Sequence, residues 1–370
     1  MIELSKLNPM KNWGLNRVLG YCVAGDVGAS GIRIRLSNPA NSTEIIDIPH
    51  QKAKNAQMLL DALNNTLSVI QKAVPKAKCF GSSIAITGLR KGDDIIPSNW
   101  APPDEVRTIR TRLFPEGMYP KEHHVLLNDL EACAYGVLAM DEQGKCSQYF
   151  RKLWGPGKSI VGKHRTAVMA LGSGLGAALI LKEPFNDKPF VLATEFGYLQ
   201  MPTVMKAHEN YDYERKIVQY TSDYYYEGAT CPGFEDFSSA RAIRSLHKFW
   251  VPSSELEAGD ISKLAKNGDK QAYQAMAQHY IYYSRLARTF ALGMKCDSIV
   301  MALSNQVAND YLIIEIAGKM KDEFFDGTHP DWIKDTSVYS QNIDHNFNLF
   351  GATYMAHRAM NNVTVQNTYL

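Results

Sequence analysis

A glycine-rich turn between two apolar strands occurs twice in this chain, and that repetition limits the possible folds more than any other feature. RVLGYCVAGDVGASGIRIRLS alternates apolar and polar residues on both sides of Gly25 to Gly31. This is the pattern of a hairpin whose turn needs backbone angles that glycine adopts readily. RTAVMALG (165–172) and GAALILK (176–182) flank the second turn, GSGLG at 172–176. Further strands follow each hairpin: STEIIDI (42–48), CFGSSIAIT (79–87) and HVLL (124–127) after the first, PFVLATEFG (189–197) and SIVMAL (298–303) after the second. Since a single core stops growing at roughly 250 to 300 residues, 370 residues with a repeated pattern predict two lobes.

Helical periods fill the space between the strands. Residues 53–74 place Leu59, Leu63, Leu67, Ile70 and Val74 on one face of a long helix. A second helical region, ISKLAKNGDKQAYQAMAQHYIYYSRLARTFALGM, is interrupted near Gly268, and SIVMAL feeds a helix starting near Asn305. No short-period repeat or low-complexity tract suggests a solenoid or a disordered tail.

A formal net charge of +2, with 21% charged residues, favours neither a nucleic-acid footprint nor an acidic tail. The six cysteines (Cys22, Cys79, Cys133, Cys146, Cys231, Cys296) include no C-x-x-C pair and read as reduced, mostly buried thiols. The first residues lack a long apolar segment before a small-residue cleavage site, and no apolar run approaches roughly 18 residues. The terminal TYL is not a peroxisomal tripeptide. A cytoplasmic protein without membrane or nucleic-acid partners is expected.

Several short stretches carry chemistry, each with a plainer reading beside it. In GDVGASG, Asp26 stands beside Gly28, Ser30 and Gly31, where backbone N–H groups could meet phosphate oxygens and a carboxylate could hold magnesium through water. The same stretch also fits a hairpin that merely needs glycine. GSGLG is not the dinucleotide fingerprint, because a strand follows it instead of a helix; it fits a phosphate turn or a structural one. GPGKS (155–159) resembles the end of a P-loop, but Lys152 stands where that motif wants glycine, so it reads as a polar loop. Asn128 and Glu131 have capping-box spacing, which makes Asp129 either a residue favouring the helix N-terminus or a base held there. Glu195 follows a buried strand, where a charge needs a partner or a ligand hydroxyl. Glu227 precedes a Pro-Gly turn and equally fits an exposed surface. The run Tyr224 to Tyr226 reads as packing rather than as a platform for a sugar ring.

Taken in order, GDVGASGIR, SNW, LLNDLEA, LGSGLGAALI, ATEFG and CPGF resemble the glucokinases of bacterial and protist type, members of the actin and hexokinase superfamily. The match spans nearly the whole chain. It implies an α/β, two-lobed actin/hexokinase-like (ribonuclease H-like) fold, each lobe a mixed sheet flanked by helices with a cleft between. It further implies ATP-dependent phosphorylation of glucose at its 6-hydroxyl, with Mg2+. The first phosphate turn maps to Asp26, Gly28, Ser30 and Arg33, with Asp26 as the metal residue through water; the second maps to Gly172, Ser173, Gly174 and Gly176. The base maps to Asp129, and the sugar-binding residues to Asn99, Asn128, Asp129, Glu195 and, allowing a one-residue deletion, Glu227. Ser304 and Asn305 fall on the nucleoside side. The chain departs from the family pattern at Ala29, Leu89, Tyr198, Leu303 and Ser304. The resemblance places a small lobe at 1–128 plus 351–370 and a large lobe at 129–350, with GATYMAHRAM as a helix returning to the small lobe, and family members are commonly homodimers. Kinases of related hexoses, a non-catalytic sugar or nucleotide sensor and an actin-like ATPase are the competing readings.

Overall fold

The computed structural model describes residues 3–98, 100–182 and 189–361. The chain forms two compact units, Met1–Met140 with Asn346–Leu370, and Asp141–His345.

In the first unit the predicted hairpin is β2 (Val18–Gly28) and β3 (Gly31–Asn38), preceded by the short β1 (Gly14–Leu15) and followed by β4 (Asn41–Lys52), α1 (Ala56–Ala73) and β5 (Lys78–Ile86). A small antiparallel sheet of β6 (Leu89–Lys91), β7 (Asp94–Ile96) and β8 (Ile109–Arg110) encloses the short α2 (Asp104–Arg107) in sequence. After it come β9 (His124–Leu127) and α3 (Asp129–Glu142). The main sheet has the order β4-β3-β2-β5-β9, with β1 beside β2. β2, β3 and β4 form an antiparallel meander, whereas β5 runs parallel to both β2 and β9.

The long helix forms where its periodicity predicts. Asn55 caps it by accepting a hydrogen bond from Met58 N, and Leu59, Leu63 and Ile70 are buried with Val23, Ile32, Ile34 and Leu36 of the sheet. Burying such side chains stabilises by about 1.5 to 3 kcal/mol each. Thr66 joins the buried face because its hydroxyl is satisfied twice, donating to Ala62 O and accepting from Gln51 Nε2, both at 2.8 Å. The C-terminal helix Phe347–Met360 packs on β2, β5 and β9.

The dividing line falls after Met140 rather than after Asn128, and the chain re-enters the first unit at Asn346 rather than at Gly351. The cause is a close crossing of two helices. A Cβ on Gly351 would lie 1.8 Å from Ala132 O, and one on Gly136 would lie 2.2 Å from Phe347 O. These two glycines bind α3 to the C-terminal helix, and so to the first unit.

The second unit repeats the plan. β10 (Phe150–Trp154), β11 (Arg165–Leu171), β12 (Leu175–Leu181) and β13 (Phe190–Thr194) precede α4 (Tyr211–Tyr226), α5 (Ala240–Trp250), α6 (Ala258–Lys266) and α7 (Lys270–Gly293). β14 (Ser298–Ala302), α8 (Ser304–Ala308), α9 (Asp310–Phe325) and β15 (Ser337–Gln341) complete it. The sheet order is β10-β15-β14-β11-β12-β13. Again a meander, β11-β12-β13, has its first strand parallel to a later one, β14, which is parallel to β15. Gly268, at φ 91, is the break between α6 and α7. Arg285 of α7 is buried between Glu214 and Glu323, joining α4, α7 and α9 by ion pairs. The GPGKS loop is structural: Gly157 N donates to Ser337 Oγ at 2.6 Å and Lys152 Nζ to Gly157 O at 3.0 Å.

All six cysteines are free thiols, with Cys231 exposed and Cys79 half-buried. Among the described residues, no helix is long and apolar enough to cross a membrane.

Gly351→Ala is expected to lower the thermal midpoint markedly, because overpacking of this kind costs about 1 to 3 kcal/mol or more. Gly259→Ala in α6, where a new Cβ meets nothing within 4 Å, is the control and should leave the midpoint unchanged or raise it. Equal midpoints for the two variants would show that the helix crossing yields.

Candidate active site

In the first unit the carboxyl ends of three parallel strands lie side by side, with Asp26 of β2 level with Ala85 of β5 and Ala85 level with Leu127 of β9. Two residues beyond that row stand Thr87 and Asp129. Their contact follows from the register: Thr87 Oγ1 donates to Asp129 Oδ2 at 2.8 Å. Leu130 N donates to Asp129 Oδ1 at 2.9 Å.

Asn128 and Asp129 divide two tasks between them. Asn128 Oδ1 accepts from Leu130 N at 2.8 Å, and Glu131 Oε2 accepts from Asn128 N at 3.2 Å, so the capping pair is made. Asp129, at the first helical position, is half-buried, and among the described residues no salt bridge reaches it. Burial raises its carboxyl above the ordinary aspartate range, the bonds from Thr87 and Leu130 N oppose that rise, and the negative charge of Asp26 adds to it.

Asp26 itself is 5% exposed and differently supported. Arg33, its cross-strand partner, reaches Oδ2 at 3.2 Å, and Asn346 Nδ2 donates to the same oxygen at 3.2 Å. Asn346 Oδ1 meanwhile caps the C-terminal helix through Leu349 N. The two glycines of the turn differ in kind. Gly31, at φ 147, could not carry a side chain, since its Cβ would lie 2.0 Å from Gln51 O. Gly28 faces open space and its carbonyl accepts from Trp100 Nε1 at 3.3 Å. Ala29 and Ser30 are the two loop residues, and Ser30 Oγ lies 3.3 Å from His50 Nε2. Asn99 lies outside the described residues. Leu89 is exposed on β6.

In the second unit, the GSGLG turn joins β11 to β12 with Gly172 N donating to Gly174 O at 2.9 Å. Gly172 O in turn accepts from Ala240 N at the start of α5, and Ser173 is exposed. Gly176 is already in β12, opposite Ala170. Two other segments close on this turn. Gly197 approaches so near that a Cβ there would lie 2.2 Å from Leu175 O, which brings the ATEFG bend beside the turn. Glu235 Oε2 accepts from Leu175 N at 3.0 Å, and would lie 2.7 Å from a Cβ on Gly174.

Glu195 stands exposed at the end of β13, so the strand delivers it outward and avoids a buried charge. Tyr198, three residues on, is 65% exposed. Glu227 occupies a left-handed position (φ 53) that ends α4, with its N–H bonded to Ser222 O and its residue exposed. The preceding tyrosines pack: Tyr226 OH donates to Asp236 Oδ2 at 2.8 Å, and the Arg241 guanidinium lies 5.1 Å from the Tyr225 ring centre.

Ser304 and Asn305 follow β14, whose parallel register with β11 sets Ala302 level with Ala170 and carries the chain past the glycine turn. Asn305 O accepts from Tyr280 OH and Asn309 Nδ2, which fixes the start of α8. Leu303, just before, has φ 78 and ψ 170, a region belonging almost wholly to glycine. Its N–H donates to Gln341 Oε1 at 2.8 Å, and Gln341 Nε2 donates to Ile343 O and His345 O.

Sequence reasoning missed Thr87, Asn346, Gln341 and the pair Glu235 and Arg241, the last joined at 3.1 Å with Glu235 13% exposed. FEDF (234–237) offered one signal, because two carboxylates between buried phenylalanines need a cation. Arg241 supplies it, also reaching Asp236 at 2.7 Å.

The doubled meander with parallel partners is the α/β, actin-like architecture of sugar kinases. The structure of a ROK family glucokinase from Streptomyces griseus, in complex with glucose and AMPPNP, shares it with TM-score 0.59 at 15% identity, covering 92% of this chain and 100% of that one. Glucokinase from Balamuthia mandrillaris, in complex with glucose, matches with TM-score 0.87 at 25% identity over 95% of this chain and 98% of that one. Glucokinase 1 of Trichomonas vaginalis is 38% identical over 98% of this chain and 99% of its own length, and probable glucokinase 2 of that organism is 36% identical over the same shares. The sequence model described as Glucokinase matches residues 23–304. The chain belongs to the glucokinase family.

Asp26→Asn should lower the pKa of Asp129, since it deletes a negative charge that disfavours ionisation. Carboxyl carbon NMR titration of the unliganded protein measures this; an unchanged or higher Asp129 pKa would contradict it.

Proposed function

We infer that this chain transfers the terminal phosphoryl group of ATP to the 6-hydroxyl of D-glucose, with Asp129 as general base. The observation that carries the reading is the setting of Asp129: a carboxylate at the carboxyl ends of parallel strands, held by a hydroxyl and an N–H, one on each oxygen. Such a group can orient a sugar hydroxyl and take its proton as the new bond forms. Its raised pKa makes it a better proton acceptor than an ordinary aspartate.

Asn128, Asn99, Glu195 and Glu227 are the proposed sugar-binding residues, as hydrogen-bond partners of hydroxyl groups. Asn128 can serve through Nδ2, because the cap uses Oδ1. The nucleotide reading assigns phosphate contacts to Gly28, Ser30 and Arg33 in one unit and to Gly172, Ser173, Gly174 and Gly176 in the other. At Gly28 and Gly172 a Cβ would meet nothing within 4 Å, so phosphate oxygens could approach the backbone there. Ser304 and Asn305 are assigned to the nucleoside side.

Among the described residues no group of three or more His, Cys, Asp or Glu side chains could cage a metal. That donor set fits magnesium held chiefly by phosphates and water. Asp26 suits the water-mediated role, since Arg33 and Asn346 both bind its Oδ2 and leave Oδ1 for water. When bound, magnesium would offset charge on the phosphate oxygens. The reading includes a cytoplasmic homodimer acting on small molecules, supported by the family resemblance and the near-neutral charge; light scattering at the mass of one chain would reject the dimer.

A coupled assay for glucose 6-phosphate with magnesium and ATP tests the central claim. Asp129→Asn should lower kcat by roughly 10²- to 10⁴-fold while glucose binding persists. A wild type silent with every hexose and donor, yet binding glucose, would make the chain a sensor instead.

A further inference from the structure

We propose that Thr87 is a positioning residue for Asp129, fixing the carboxylate's rotation and holding it in the ionised form that accepts the sugar proton. This rests on Asp129 being the base.

Thr87 is not placed by chance rotation of a loop. Ala85 of β5 pairs with Leu127 of β9, so continuing both parallel strands by two residues sets Thr87 opposite Asp129. Beyond Thr87 the chain has no freedom to slip: Gly88 sits at φ 148, and a Cβ there would lie 2.3 Å from Ile96 O. The hydroxyl is therefore delivered to Asp129 Oδ2 from a strand end clamped on both sides.

Of the roughly four lone-pair directions on a carboxylate, Thr87 and Leu130 N occupy one on each oxygen. The remaining directions can meet a sugar hydroxyl. Leu130 N belongs to the same helix start as Asp129, so it anchors Oδ1 alone. Thr87, from another strand, prevents rotation about the Cβ–Cγ bond.

The electrostatic part has a definite sign. Within the first unit, the titratable groups facing Asp129 are Asp26 from β2, which disfavours its ionisation, and the Cys133 thiol on α3, itself pushed up by burial and by both aspartates. Arg33 reaches Asp26, and Glu131 bonds Asn128 N. Thr87 and the backbone N–H groups of Leu130 and Asp129 favour the charged form, and of these Thr87 alone acts through a side chain and is the largest. Removing its hydroxyl raises the Asp129 pKa further, which protonates the base over a wider acidic range.

The experiment compares the pH dependence of kcat/KM for glucose in wild type, Thr87→Val, Thr87→Ser and Asp129→Asn. Thr87→Val should move the acidic limb up by about one pH unit, the size of a hydrogen bond to a charged group, so that its loss of kcat/KM approaches about tenfold on the acidic side of the wild-type limb. The loss should shrink in alkali. Thr87→Ser, which keeps the hydroxyl, should restore both the rate and the limb. If Thr87→Val does not fold by circular dichroism, Thr87→Ala gives the same comparison without the added bulk. An unmoved limb, or a loss equal at all pH values, overturns the positioning role while the base assignment stands, provided Asp129→Asn is inactive. Should Asp129→Asn remain active, the base reading fails and Thr87 falls with it.

Discussion

Parallel pairing of one central strand with two neighbours decides where chemistry can occur in this protein. β5 lies between β2 and β9, and β14 between β11 and β15, all in the same direction within each trio. Residues that follow parallel strands leave the sheet at one edge, where open α/β sheets bind ligands. Asp26, Thr87 and Asp129 share such an edge in the first unit. The glycine turn and Leu303 share one in the second. An antiparallel arrangement of the same strands would have sent Thr87 and Asp129 to opposite ends.

The two aspartates of the first unit show how environment separates identical side chains. Asp26 is met by a guanidinium and an amide, both on one oxygen. Asp129 is met by a hydroxyl and an N–H, one on each oxygen. The former suits a carboxylate that stays put near bound charge, the latter one that can take up and release a proton. Differences of this sort assign acid and base roles more surely than residue type does.

Much of this was legible along the chain because it depends on local periodicity. The hairpins around both glycine turns, the α1 face and the break at Gly268 are short-range patterns, and the capping pair of Asn128 and Glu131 lies within four residues. What escaped depends on long-range pairing. β10 and β15 form an antiparallel edge between segments far apart in sequence, and neither carries a strong alternation of its own. Thr87 gains meaning only from the β5 and β9 register. The division after Met140 follows from two glycines, Gly136 and Gly351, that no helical pattern links. Glu195 reads along the chain as a charge that needs a partner or a ligand hydroxyl, and the strand ends just before it, which leaves the residue exposed rather than buried in the sheet.

Leu303 carries a side chain on a backbone shaped for glycine, and Gln341 is what holds it there. Gln341 is buried and also binds Ile343 O and His345 O, the last residues before the chain re-enters the first unit. One amide side chain thus ties the turn after β14 to the segment through which the chain leaves the second unit. The glycine-like backbone of Leu303 and the exit segment therefore share one anchor, so Gln341 serves two turns with a single side chain.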